Sequence, residues 1–230
     1  MANIQGKSNQ NKFKKALSTV EQAGRMSLAK NGFTFGDINQ QCGQVVDYSG
    51  DWAYLNSTEM SSTDGYRDVH SICKIMETGF KNLNYQGMVA YGNMYNTSIV
   101  IKGPRGHNTY GGYTLLDGTI VGVGTGSPDR YHNYDLSCSV KPGEKFDSHW
   151  INEHHSNSVT APCFGFIDVN GPNGPNKEVS CSDGVDTTTE VEKPCVVKAK
   201  DITDMFPIVF HDATVEPGSN AAMYVLKNAK

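Results

Sequence analysis

Between Asn11 and Asn31 the apolar and small residues fall at Phe13, Ala16, Leu17, Val20, Ala23, Gly24, Ser27 and Leu28. Intervals of three and four place them on one face of an α-helix, and Asn31-Gly32 supplies a C-terminal stop. The face is narrow, so the helix needs another surface to fold against, with Phe13, Ala16, Leu17, Val20 and Leu28 as its packing residues. A second periodic segment, Ser62 to Gly79, carries Tyr66, Val69, Ile72, Cys73, Ile75 and Met76. Ser62 and Thr63 are its capping candidates, and Gly79 closes it.

After Gly79 the pattern shortens to that of strands. Met88 to Tyr91, Ser98 to Lys102, Tyr113 to Leu116, Thr119 to Val123, Cys163 to Val169, Phe206 to Phe210 and Ala222 to Leu226 are apolar, β-branched or aromatic runs, most of them bounded by Gly, Asn or Pro. No helix is expected beyond Gly79. Asp117-Gly118 between two such runs predicts a hairpin with a type I′ turn. Helices first and antiparallel strands afterwards make an α+β fold, a long N-terminal helix packed on an antiparallel β-sheet. There is no internal repeat and no linker, so residues 11–230 read as one domain with a β-rich region over 88–226. Residues 1–10 read as a polar leader outside the fold.

Composition narrows the function classes. A formal charge of −4 over 230 residues recruits neither nucleic acid nor an anionic membrane. The excess of Lys7, Lys12, Lys14, Lys15, Arg25 and Lys30 over the single acid Glu21 belongs to the first helix alone. No segment approaches the roughly 18 consecutive apolar residues of a membrane span.

Six cysteines, Cys42, Cys73, Cys138, Cys163, Cys181 and Cys195, contain no CxxC pair, which favours disulfides and an extracellular setting over zinc. Cys181 and Cys195 enclose the polar excursion SDGVDTTTEVEKP. A bridge there would stabilise the fold by roughly 3 kcal/mol in the chain-entropy model. Cys42 with Cys73 and Cys138 with Cys163 are the remaining simple pairs, although six cysteines permit about 15 connectivities.

The polar candidates are few. His149, His154 and His155 with Glu153 lie in HWINEHH, where imidazole and carboxylate could meet a metal, but the spacing fits no zinc pattern and reads as a solvated loop. Gly122-Val123-Gly124-Thr125-Gly126 leaves a strand with no helix to follow, a loose loop rather than a nucleotide cradle. The stretch FGFIDVNGPNGPN, Phe164 to Asn176, ends an apolar strand with an acid and a turn full of Asn, Gly and Pro. Asp168 and Asn170, joined by Asp183 and Asp186, offer oxygen ligands suited to calcium. The simpler reading is that these side chains bond their own backbone and shape the loop.

The N-terminal helix, the Leu115-Leu116-Asp117-Gly118-Thr119 hairpin and the Asp168-Val169-Asn170-Gly171-Pro172-Asn173-Gly174-Pro175-Asn176 loop, with Lys200-Asp201-Ile202 and Asp204-Met205-Phe206 behind it, resemble bacterial type IV pilin-like proteins. That group includes the pseudopilins of type II secretion, whose "ADG", "DvNGpkgPN" and "GkDxF" elements follow the same order. The resemblance spans most of Lys12 to Leu226. It implies a non-catalytic structural subunit, major or minor, of an extracellular filament on the bacterial cell surface, with like subunits as partners. Membrane contact would come only through an apolar half-helix that this sequence does not show, which makes Met1 to Gln10 a foreign leader on this reading. The loops around Asp168 and between Cys181 and Cys195 would form the outer surface. Two other classes fit some of the same residues: a secreted calcium-dependent adhesin or carbohydrate-binding module, and a metal-dependent hydrolase built on the histidine cluster.

Overall fold

In the computed structural model the N-terminal helix, α1, runs from Ala2 to Asn31. The structure describes residues 2–38, 44–46, 52–54, 70–79, 84–85, 110–124, 142–143, 164–171, 173–184 and 194–228. The face foreseen for α1 is buried at Phe13, Ala16, Leu17, Val20 and Ala23. Leu28 departs from it, with 50% of its surface exposed. The last turn carries its burial on Ser27 instead, and Gly32 N–H closes the helix on the Leu28 carbonyl at 3.2 Å. The expected leader is also corrected, because α1 begins at Ala2. Asn9 and Gln10 are buried, and their side-chain amides donate to the Thr203 carbonyl at 2.9 Å and the Val225 carbonyl at 2.7 Å. Polar residues in this stretch hid a helix whose buried face is partly satisfied by hydrogen bonds rather than by apolar contact.

Under α1 lies a six-stranded sheet, every neighbouring pair antiparallel and in chain order: β3 (Asn84–Tyr85), β4 (Tyr110–Thr114), β5 (Ile120–Gly124), β6 (Phe164–Asp168), β7 (Met205–His211) and β8 (Thr214–Pro217). A separate antiparallel pair, β1 (Gln44–Val46) and β2 (Trp52–Tyr54), precedes it. The α+β class is therefore present: a helix laid on an antiparallel sheet.

Alternation along the strands sorts the core. Val121, Val123, Ile167, Phe206, Ile208 and Phe210 join one buried cluster with the α1 face, and Phe13 stacks on Phe206 with ring centroids 4.2 Å apart. Burial of each such side chain is worth roughly 1.5–3 kcal/mol, which makes this seam the main source of stability for α1. The intervening residues Ile120, Phe166, Met205 and Val209 are buried outside that cluster. Seven consecutive buried residues make β7 the central, two-sided strand.

Two further helices correct the sequence reading. α2 spans Ile72–Gly79, with Ser71 Oγ accepting from Lys74 N–H at 3.2 Å as its cap, so Ser62 and Thr63 do not open it. It packs so close to α1 that a side chain at Gly79 would collide with Ala23. The expected strand at Ala222 to Leu226 is instead helix α3, Asn220–Lys227. Ser219 Oγ caps it by accepting from Ala222 N–H at 3.1 Å, and Ala221, Ala222 and Val225 turn inward. A short apolar run cannot separate buried helix from strand, whereas the serine before it and the three-residue step carry the helical signal.

The β4–β5 hairpin also differs. Thr114 pairs with Ile120, and Leu115 N–H donates to the Thr119 carbonyl at 2.7 Å, which leaves Leu116-Asp117-Gly118 as a three-residue loop. Only Gly118 takes positive φ, at 82°, and its N–H returns to the Leu115 carbonyl at 2.9 Å. This is a type I turn with a glycine bulge rather than type I′. Leu116 sits at the tip, 94% exposed, outside the strand that was expected to include it. Gly122 and Gly124 belong to β5 and not to a loose loop. Gly122 leaves the space that the Phe166 ring fills. The expected strands at Met88 to Tyr91 and Ser98 to Lys102 lie outside the described residues.

Candidate functional site

The register of β6 decides the environment of Asp168. Its cross-strand neighbours are Ile120 on β5 and Met205 on β7, both buried, and Asp168 itself has no exposed surface. A carboxylate so enclosed loses hydration. Burial drives its pKa up, to about 7; the Asn170 N–H opposes this, the nearby Asp204 charge reinforces it, and Gly171 N–H opposes it again. Asp168 Oδ1 accepts from Asn170 N–H at 3.2 Å, while Oδ2 is buried with no hydrogen-bond partner.

Asp204, the residue before β7, organises the loop that follows. Val169 N–H donates to the Asp204 carbonyl at 2.9 Å, which continues the β6–β7 ladder by one step. Its carboxylate then collects three donors, each at 2.8 Å: Asn170 Nδ2 and Asn176 N–H on Oδ2, and Lys177 N–H on Oδ1. Asn170 Nδ2 also donates to the Gly174 carbonyl at 3.2 Å, and Asn173 Nδ2 returns to the Asn170 carbonyl at 3.3 Å. Gly171 and Asn176 take positive φ, 64° and 48°, and Gly174-Pro175 is a cis peptide. The loop-shaping role expected of Asp168 and Asn170 is thus shared with Asp204. Its candidacy was out of sight in the sequence because it lies 34 residues from Asn170; the short Asp204-Met205-Phe206 motif was the one signal that pointed to it.

The other expected oxygen donors separate. Asp183 is exposed, pairs its backbone with Val196, and accepts Gly184 N–H on Oδ1 at 2.9 Å. No hydrogen bond joins it to Asp168 or Asp204. Asp186 lies outside the described residues, as do His149, Glu153, His154 and His155. Among the described residues no group of three or more His, Cys, Asp or Glu could hold a metal. A zinc centre has no footing there, and a cation at this loop would rely on amide oxygens beside the two acids.

Two neighbouring features frame the loop. Lys12 of α1 donates from Nζ to the Val169 carbonyl at 3.0 Å, fastening the helix to the start of the loop. Cys181 and Cys195 form the expected disulfide, with Cα atoms 5.3 Å apart and 14 residues between them in sequence. Ser182 Oγ inside that bridge donates to Asp201 Oδ2 at 2.6 Å, which ties the bridge to the approach to β7. The side chains of Cys42, Cys73, Cys138 and Cys163 lie outside the described part of the structure. At the hairpin tip Asp117 accepts from Lys15 Nζ at 3.3 Å and from Thr119 N–H at 3.2 Å. Partial burial pushes its carboxyl up, but the bonds from Thr119 and Lys15 outweigh burial and hold it below the usual range.

No family model, no curated protein and no solved structure matches this chain. Function therefore has to be argued from the molecule.

Proposed function

We propose that the chain is a non-catalytic structural subunit, major or minor, of an extracellular type IV pilus-like filament, assembling with copies of itself. The observation that carries this reading is the meeting of the two motif pieces on which the resemblance rests. The Asp168 to Asn176 loop and the Asp204-Met205-Phe206 segment form one hydrogen-bonded unit through the Asp204 carboxylate. α1 lies across the antiparallel sheet beside that unit, as the resemblance implies for this family. The Cys181–Cys195 bridge agrees with an oxidising compartment. Among the described residues no helix is long and apolar enough to cross a membrane, so α1 in this reading supplies the amphipathic part that joins helix to sheet.

Surface filaments sheared from cells that express the gene, labelled with gold-conjugated antibody to this chain, test the reading. Label along the filament or at its tip is expected. A chain recovered as a dispersed secreted monomer, with every filament unlabelled, sinks it. That outcome would favour the adhesin reading, which the buried oxygens of the Asp168 loop support through their affinity for a cation.

A further inference from the structure

We infer that the Asp168 to Asn176 loop is a binding site for a hard divalent cation of calcium's class, held by Asp168 Oδ2 and the side-chain oxygens of Asn170 and Asn176. This does not rest on the filament reading. The three oxygens are buried, and none has a hydrogen-bond partner. Asp168 as a whole has no exposed surface. All three are acceptors when the acid is ionised, with no orphaned donor on the same loop to pair with them. One water brings two protons and a protonated Asp168 brings one, whereas a single cation answers all three oxygens together.

Their orientation is fixed rather than free. Asn170 points its Nδ2 at two acceptors, Asp204 Oδ2 and the Gly174 carbonyl, so its Oδ1 must face the other way. Asn176 is anchored through its backbone N–H on the same Asp204 oxygen that receives Asn170. Asp168 is anchored through Oδ1 on Asn170 N–H. One carboxylate thus gathers the loop while a second is left with an unused oxygen, and two acids beside neutral amide oxygens are the ligand chemistry calcium accepts. Asp204 serves as the positioning residue, and water would complete the six to eight oxygens calcium takes. With few charged ligands the affinity belongs in the range of extracellular modules, about 0.1–1 mM.

The test is thermal unfolding of the intact chain at pH 8 after chelator treatment, titrated with calcium chloride alone and matched for ionic strength with sodium chloride. A saturable rise in Tm of about 3–5 °C by about 5 mM calcium is expected. Asp168→Asn should abolish the response, and Asp183→Asn should leave it intact. Asn176→Asp keeps the backbone bond and turns one amide oxygen into a carboxylate, so it should lower the half-saturating calcium about tenfold. That variant keeps the proposal open to failure if Asp168→Asn does not fold. An unresponsive wild-type Tm, or an unchanged midpoint in Asn176→Asp, overturns the site. A Tm that climbs on acidification but never with calcium assigns the unused oxygen to a proton and overturns it equally.

Discussion

The seam beneath α1 and the loop beyond β6 meet at Val169, yet they are stabilised by opposite means. The seam is apolar and complete: Phe13, Ala16, Leu17, Val20 and Ala23 close on Phe206, Ile208 and Phe210 of the sheet without a charge between them. The loop is polar and incomplete, with Asp204 fully engaged and Asp168 half used. Apolar packing is indifferent to pH and ions, whereas a buried acid responds to both. Solution conditions should therefore act on the loop and leave the seam alone.

The largest effect should come from breaking the seam. Phe13→Ala removes a fully buried ring stacked on Phe206 and should cost about 3–5 kcal/mol, read as a fall in the denaturant midpoint with unchanged slope. The loss should be the same at pH 5 and pH 8. A loss that varied with pH would mean that the seam and the loop are coupled through Lys12 and Val169, and the contrast drawn above would fail.

The loop should show the converse. Asp168 has a folded-state pKa raised to about 7 from an ordinary value of 3.8, so the folded chain binds the extra proton between those limits. Stability from this group is fully present below pH 3.8 and declines as pH rises towards 7. Above 7 the whole penalty is in force, at most about 4 kcal/mol by linkage. Asp168→Asn in the presence of chelator should flatten that decline and leave the chain more stable than wild type at pH 8. Wild type and variant with parallel pH profiles would show that the carboxyl is not held in an apolar surround.

The seam was legible in the sequence and the loop only in part, for a physical reason. Phe13, Ala16, Leu17 and Val20 betray themselves by spacing because one surface buries all of them, and periodicity records that surface. Cys181 and Cys195 were legible because the polar span between them has little to bury. Asp204 collects its donors from residues 27 to 34 positions earlier, and no local pattern encodes such a meeting. At Asp117-Gly118 the dipeptide rule named the wrong turn, because the β4–β5 register closes at Leu115 and Thr119 and needs three residues to cross. α3 was misread because Ala222 to Leu226 is apolar throughout, and its cap, Ser219, lies just outside the run that drew attention.

Leu28 gives the smallest expected effect and sharpens where the seam ends. Its position continues the spacing of Val20, Ala23, Gly24 and Ser27, yet half its surface is exposed because the chain below turns away at Gly32 to Phe33 and offers no apolar partner there. Leu28→Ala should change stability by no more than about 0.5 kcal/mol, the size typical of a surface substitution that creates no cavity and frees no polar group. Equilibrium denaturation at two protein concentrations makes the measurement decisive. A loss above about 2 kcal/mol that is independent of concentration would mean that the seam runs to the end of the helix. A loss seen only at the higher concentration would mean that a second copy of the chain covers Leu28, the kind of contact a filament subunit makes through the exposed side of its helix.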